Sequence, residues 1–201
     1  RGVLTHFGNI WGTLEERRAE TEKAATRVGA VLDAFRAARM PVEIVSAGST
    51  PSAQLTGIVA GVTEIRPGTY VYGDLNTYYQ GACGLEDCAA RVVTTVISTA
   101  VPGCAIIDAG SKTFCSDMLS SGSKHGYGYI VEAPDVPIVK LNEEHGFLDV
   151  SKSAKKFQVG QILTVIPNHI CTCVNMHDTV ATLRHAEVVG SWRVAARGKI
   201  C

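Results

Sequence analysis

The sequence has no charge surplus of either sign: 19 lysines and arginines balance 19 aspartates and glutamates over 201 residues. Without a basic excess, nothing favours nucleic acid or an anionic membrane surface as a partner. No apolar run approaches the length needed to span a bilayer. A basic-then-apolar leader is missing too. The chain opens at Arg1, not a methionine, and runs straight into apolar residues; the expectation is upstream processing or a piece of a longer protein. No CxxC pair occurs, which argues against a structural zinc finger. The seven cysteines (Cys83, Cys88, Cys104, Cys115, Cys171, Cys173, Cys201) form an odd, scattered set with apolar neighbours. They suit free thiols in a reducing compartment, and the cytoplasm is the expected location. There is no P-loop, no full GxGxxG, no Ser-His-Asp order, no internal repeat and no low-complexity segment.

What is present suits a globular protein: 46% hydrophobic and 19% charged residues are enough to bury a core, in one large domain or two small ones. Gly2–Thr5 reads as a short buried strand. Thr13 and Glu16 make a capping box, opening a helix to about Arg39 with Ala24, Val28, Val31, Leu32 and Phe35 on one face. Gly29 inside it costs ~1 kcal/mol against alanine and is read as a close-packing point. A strand is expected over Val42–Val45, a short helix or turn after Pro51, and a further strand over Thr69–Tyr72. Strand, helix, strand, helix, strand is the pattern of parallel βα units, and three strands are too few for a closed barrel. After about Cys88 the texture changes. Strands are expected over 91–98, 104–107, 137–141, 147–150, 160–166, 178–183 and 187–194, with few helices between them, so a mostly antiparallel β domain follows. The expected division is 1–87 and 88–201.

Several stretches could carry chemistry. Pro167-Asn168-His169-Ile170-Cys171 ends an apolar strand with an imidazole and a thiol two positions apart. On extended backbone these share a face, and both are good zinc donors; the plainer alternative is a strand end with a core cysteine. Gly48-Ser49-Thr50 follows a strand and precedes a turn, so it could cradle a phosphate or simply cap the turn at Pro51. His6 ends the first strand, where parallel α/β folds place functional groups. Tyr70 and Tyr72 share a face of the expected strand and could line a pocket or fill a core. Asp108 to Lys112 reads as a turn, and Glu143 to Gly146 as a solvated hairpin tip.

In order and spacing, the set Leu4-Thr5-His6-Phe7-Gly8, Ser46 to Pro51, Glu64 to Tyr72, Leu85 to Ala89, Asp108 to Lys112, Glu143 to Gly146 and Pro167 to Cys171 resembles the D-serine dehydratase and D-threonine aldolase group. These are pyridoxal-phosphate enzymes of the alanine-racemase fold type. The resemblance implies an α/β plus β architecture: the last βα units of a TIM-type barrel, then a mostly antiparallel β domain. It implies a homodimer that includes the missing N-terminal half of the barrel. By this likeness Gly48, Ser49 and Thr50 hold the cofactor phosphate, His6, Tyr70 and Tyr72 lie around the ring, and His169 and Cys171 hold a divalent metal, zinc in first place because a thiolate is a soft ligand.

Two departures stand out. Asn9 and Trp11 occupy positions where the family usually has His and Tyr. The family's Schiff-base lysine lies on the first barrel strand, upstream of anything present, and Lys112 belongs to a different motif. The resemblance implies a lyase acting on β-hydroxy D-amino acids. Dehydratases of the family tend to carry His-x-Cys and aldolases His-x-Asp, so Cys171 points to elimination giving a 2-oxo acid and ammonia. The alternatives are retro-aldol cleavage, or a non-catalytic metal-binding fragment.

Overall fold

Gly2–Leu4 forms β1, followed by the long helix α1, Leu14–Ala37. The computed structural model describes residues 1–8, 10–119 and 125–199. The capping box closes as expected: Thr13 N–H donates to Glu16 Oε2 at 2.8 Å, and Glu16 N–H to Thr13 Oγ1 at 3.3 Å. α1 returns the chain to β2, Ile44–Ala47, which pairs with β1 in parallel, Leu4 opposite Ser46. β3, Glu64–Ile65, adds in parallel on the far side of β2. The result is a three-stranded parallel sheet in the order β1-β2-β3.

Three local expectations are corrected in this part. β2 lies two residues later than expected, because its pairing with β1 runs on to the Thr5 N–H···O=C Ser46 bond at 2.9 Å. Thr69–Val71 is a turn of 3-10 helix and not a strand. Pro67 and Gly68 break the extended run, and the N–H groups of Tyr72 and Gly73 bond back to Thr69 O, so local hydrogen bonding overrides β propensity. On α1 the buried residues are Arg17, Thr21 and Val28, with Ala24, Ala25 and Leu32 packed beside the core. Val31 is exposed, and a Cβ at Gly29 would meet nothing within 4 Å, so Gly29 is not a close-packing point. The core of this part is Phe7, Ile10, Val28, Val45, Ala47 and Val59. One compact unit comprises residues 1–73 and 77–87.

The other unit comprises residues 74–76 and 88–201; the short helix α2, Leu75–Tyr79, begins in it. Its main sheet contains β4 (Val92–Ser98), β5 (Cys104–Ile107), β6 (Gly128–Ile130), β7 (Ile138–Leu141), β8 (Gly146–Asp149) and β9 (Ile162–Pro167). The order is β6-β9-β4-β5-β8-β7, with every pair antiparallel. Ile138 ties the two outer strands together. It accepts from Tyr127 N–H and donates to His125 O, each at 3.0 Å, so the sheet is a nearly closed barrel. Side chains alternate in and out along β4, β5 and β8. Val96, Ala105, Ile107, Ile130, Ile138 and Leu148 fill the interior at 0% exposure. Each of the Val, Ile and Leu side chains contributes about 1.5–3 kcal/mol by leaving water, the Ala105 methyl less.

β6 was not expected, since its sequence Gly128-Tyr129-Ile130 is short and glycine-flanked. Glycine is needed there: a Cβ at Gly128 would come within 2.7 Å of Val165 Cγ1. Ser111–Phe114 forms the short helix α3 where a turn was expected. Beyond β9 come α4, Ile170–Asn175, and the hairpin β10 (Thr179–Arg184) with β11 (Glu187–Arg193). Among the described residues no helix is long and apolar enough to cross a membrane.

Candidate active site

In the first unit the candidate groups gather where β2 runs out. Gly48 takes φ +93°, and a Cβ there would lie 2.8 Å from Thr56 Oγ1. Only glycine passes this point without strain. The loop is then tied inward. Ser49 N–H donates to Ser52 Oγ at 2.9 Å, Ser49 Oγ to Phe7 O at 3.0 Å, and Arg17 Nη1 to Pro51 O at 2.7 Å. Arg17 is 5% exposed. Its role was not legible in the sequence, where it is one of several charges on a helix. Arg66 bridges the strand ends, donating from Nε to Ser46 Oγ at 2.7 Å and from Nη2 to Thr5 O at 2.6 Å.

Thr50 differs from its neighbours. Its Oγ1 is buried and has no hydrogen-bond partner among the described residues. Thr50 also lines a cavity of about 320 Å³ whose walls include Tyr70, Gly73, Thr77, Cys83 and Asp87. A buried hydroxyl without a partner costs about 1–3 kcal/mol, and a phosphate oxygen at the cavity wall would supply the missing acceptor. The donor chemistry and the glycine cradle at Gly48 therefore fit the phosphate end of pyridoxal phosphate. Of the residues expected there, the structure brings Thr50 and Tyr70 to one cavity, while the Ser49 hydroxyl is spent on Phe7. His6 is exposed, its ring folded over Gly8, where a Cβ would meet it at 2.8 Å. Tyr72 is half-buried, and with no strand present it does not share a strand face with Tyr70.

In the second unit His169 is the last extended residue, at φ −136° and ψ 105°, and Cys171 lies in the first turn of α4. The expected extended His-x-Cys geometry is therefore corrected, because helix formation starts between the two residues. They nevertheless meet: a side-chain hydrogen bond links Cys171 to the imidazole. His169 Nδ1 stands 2.6 Å from Asp117 Oδ2. The Cys171 thiol group beside the ring raises the imidazole pKa to about 9, partial burial opposes this, and Asp117 adds to the rise. The Asp117 carboxyl is lowered in turn, chiefly by its hydrogen bond to His169.

Thr172 Oγ1 donates to Asp117 Oδ2 at 3.0 Å, and Asn168 Nδ2 donates to Asp117 O at 3.0 Å. Asp74 Oδ2 receives the N–H of Ile170 at 2.9 Å. Cys173, two residues beyond Cys171, is buried with its thiol pushed up to about 12 by burial, so it is a core thiol and not a metal donor. Asp117 and Asp74 escaped the sequence reading because they lie 52 and 95 positions from His169, and no local pattern marks them. Lys112 pairs with Glu144 at 2.5 Å, and this hydrogen bond raises its pKa, so it stays an ammonium.

An imidazole and a thiol on adjacent backbone form a donor pair of the right softness for zinc. Among the described residues no group of three or more His, Cys, Asp or Glu side chains is set to hold a metal. An ion here would have two protein ligands, with its other positions left for water or substrate.

Comparison with known proteins bears on the family of the chain. Residues 1–76 match the alanine racemase N-terminal domain, and residues 89–183 the serine dehydratase domain family described as putative. D-threo-3-hydroxyaspartate dehydratase of Delftia sp. is 36% identical over 85% of this chain and 49% of its own length. Its solved structure superposes with a TM-score of 0.84 at 33% identity, covering 96% of this chain and 55% of that one. Structures of that enzyme also exist as a His→Ala variant and as a metal-free Cys→Ala variant, the two altered positions lying two residues apart. D-threonine aldolase of Arthrobacter sp. is 27% identical over 98% of this chain and 51% of that protein. An uncharacterized Mycobacterium tuberculosis protein is 35% identical over 63% of this chain and 97% of its own length. The chain thus spans about half the length of the two named enzymes. With an alanine-racemase-like first unit and a serine-dehydratase-type β barrel, the chain belongs to the D-serine dehydratase and D-threonine aldolase family.

Proposed function

We propose that this chain is the carboxy-terminal part of a pyridoxal-phosphate- and zinc-dependent lyase that dehydrates β-hydroxy D-amino acids to a 2-oxo acid and ammonia. The observation that carries the reading is the His169–Cys171 donor pair. Its two-residue spacing equals that of the His and Cys positions altered in the Delftia dehydratase, whose Cys→Ala variant was solved in a metal-free form. When bound, pyridoxal phosphate supplies an electron sink for the substrate's α-carbon, and zinc a Lewis acid for its β-hydroxyl.

The chain's own residues bind and orient. Thr50 Oγ1 donates to the phosphate, Gly48 keeps backbone in place of a side chain beside it, and Ser49 holds the loop through Phe7. Tyr70 supplies part of the cavity wall, with His6 and Tyr72 assigned to the ring surroundings by family likeness. His169 and Cys171 hold the metal. No catalytic base or Schiff-base lysine is assigned to this chain. The protein functions as a homodimer in the cytoplasm, a location consistent with the free thiols at Cys83, Cys88, Cys104, Cys115, Cys171 and Cys173.

The test is a product assay on the full-length protein with D-serine, D-threo-3-hydroxyaspartate and D-threonine. The expected products are 2-oxo acid and ammonia, lost on treatment with a chelator and lost in Cys171→Ala. Glycine and an aldehyde as the products would assign retro-aldol cleavage instead. Unchanged elimination by zinc-free Cys171→Ala would overturn the metal assignment.

A further inference from the structure

We propose that Asp117 is the positioning residue of the metal site, holding the His169 imidazole as its Nδ1–H tautomer so that Nε2 is the nitrogen offered to the ion. The inference rests on the reading of His169 and Cys171 as metal ligands.

Asp117 Oδ2 lies 2.6 Å from Nδ1, and a nitrogen donating to a carboxylate at that distance has no lone pair for a metal. Nε2 is the only ring nitrogen left. The carboxylate is itself held on several sides. Thr172 Oγ1 donates to the same Oδ2 at 3.0 Å, and Asp117 N–H donates to Cys115 Sγ at 3.2 Å. Cys115 Sγ donates in turn to Thr172 Oγ1 at 3.1 Å, closing a ring of contacts. The backbone carbonyl of Asp117 is gripped by Asn168, which is 2% exposed and also bonds Gly126 O at 2.9 Å.

Local backbone conformation points the same way. Cys115 takes φ +61°, a region L-residues enter only when surrounding contacts demand it. That bend ends α3 and brings Asp117 toward the residue preceding α4. A pair as exposed as this one, 37% and 41% on the two side chains, adds little to folding stability. Its geometry is instead that of a carboxylate oriented behind a metal-binding imidazole, an arrangement whose loss typically weakens metal binding 10–100-fold.

The experiment measures zinc dissociation constants by competition with a chromophoric chelator. It uses the full-length parent and the variants Asp117→Asn, Thr172→Val and His169→Ala, with thermal unfolding of each metal-free form. The expected result is about 10–100-fold weaker zinc binding in Asp117→Asn, a smaller loss in Thr172→Val, and metal-free unfolding midpoints close to the parent's. Nitrogen-15 NMR of the zinc-loaded parent gives an answer independent of any variant's folding: Nδ1 protonated and Nε2 metal-bound is expected. Metal on Nδ1, or parent-like zinc affinity in Asp117→Asn while His169→Ala loses the ion, overturns the positioning role alone. Parent-like affinity in His169→Ala overturns the ligand reading on which it stands.

Discussion

Asp74 Oδ2 accepts the backbone N–H of Ile170 at 2.9 Å, joining residues 96 positions apart and pinning the first turn of α4 between His169 and Cys171. Asp74 is 1% exposed, so this N–H has no water to fall back on. Asp74→Ala is expected to cost about 1–3 kcal/mol in urea unfolding and to weaken zinc binding by loosening the turn that carries both ligands. Asp74→Asn keeps an amide oxygen in place and should lose less of both.

Gly48→Ala joins two penalties at one position. The new side chain must adopt φ +93°, and its Cβ would sit 2.8 Å from Thr56 Oγ1 and 3.4 Å from Ser52 Oγ. A destabilisation of about 1–3 kcal/mol is expected from the backbone alone. Differential scanning calorimetry checks it. The affinity for pyridoxal phosphate should fall in parallel, since Ser52 and Thr56 hold the loop.

Thr50→Val separates a binding hydroxyl from a structural one. The substitution keeps shape and removes an oxygen that has no partner among the described residues. Stability without cofactor should be unchanged or up to about 1 kcal/mol higher. The thermal shift produced by adding pyridoxal phosphate should shrink. A marked loss of stability in the cofactor-free protein would assign the hydroxyl a structural partner instead.

Asp108 sets an acid limit on the second unit. Burial pushes its carboxyl up, but donation from Thr94 Oγ1 at 2.6 Å and Thr95 N–H at 2.7 Å outweighs burial, and the pKa falls below the ordinary aspartate value. A carboxyl lowered on folding adds stability that is complete above its unfolded pKa, about 3.9, and vanishes as pH drops through the folded value. Asp108→Asn should therefore unfold with a shallower pH dependence below about pH 4, measured by circular dichroism across an acid titration. An unchanged acid profile would remove Asp108 from the account.

Much of the second unit was legible in advance. The apolar β-branched runs over 92–98 and 162–167 and the turn residues between the shorter strands mark a β domain whatever its closure. The capping box at Thr13 and Glu16 was readable because both partners lie within one turn. Expectation and structure differ where local hydrogen bonding or tertiary packing outvoted propensity and periodicity. Thr69 to Tyr72 has the composition of a strand, but its backbone closes on itself through the Tyr72 and Gly73 N–H bonds to Thr69 O. Val31 and Gly29 fell on the wrong side of α1 because periodicity shows that a stripe exists, not how wide a surface will cover it.

By itself the sequence determined which groups are available: an imidazole and a thiol two positions apart at His169 and Cys171, a Gly-Ser-Thr turn after a parallel strand, and the ordered motifs that mark the family. These are local facts, carried by spacing along the backbone. Which of those groups remain free to act is set by long-range contacts in the folded chain. The fold spent Ser49 on Phe7 and left the Thr50 Oγ1 at a cavity wall with no partner among the described residues. It also brought Asp117 and Asp74 to the two ends of the His169 turn from 52 and 95 positions away. Such choices follow from strand order and barrel closure, which bring distant residues within hydrogen-bond reach and which no window of sequence contains.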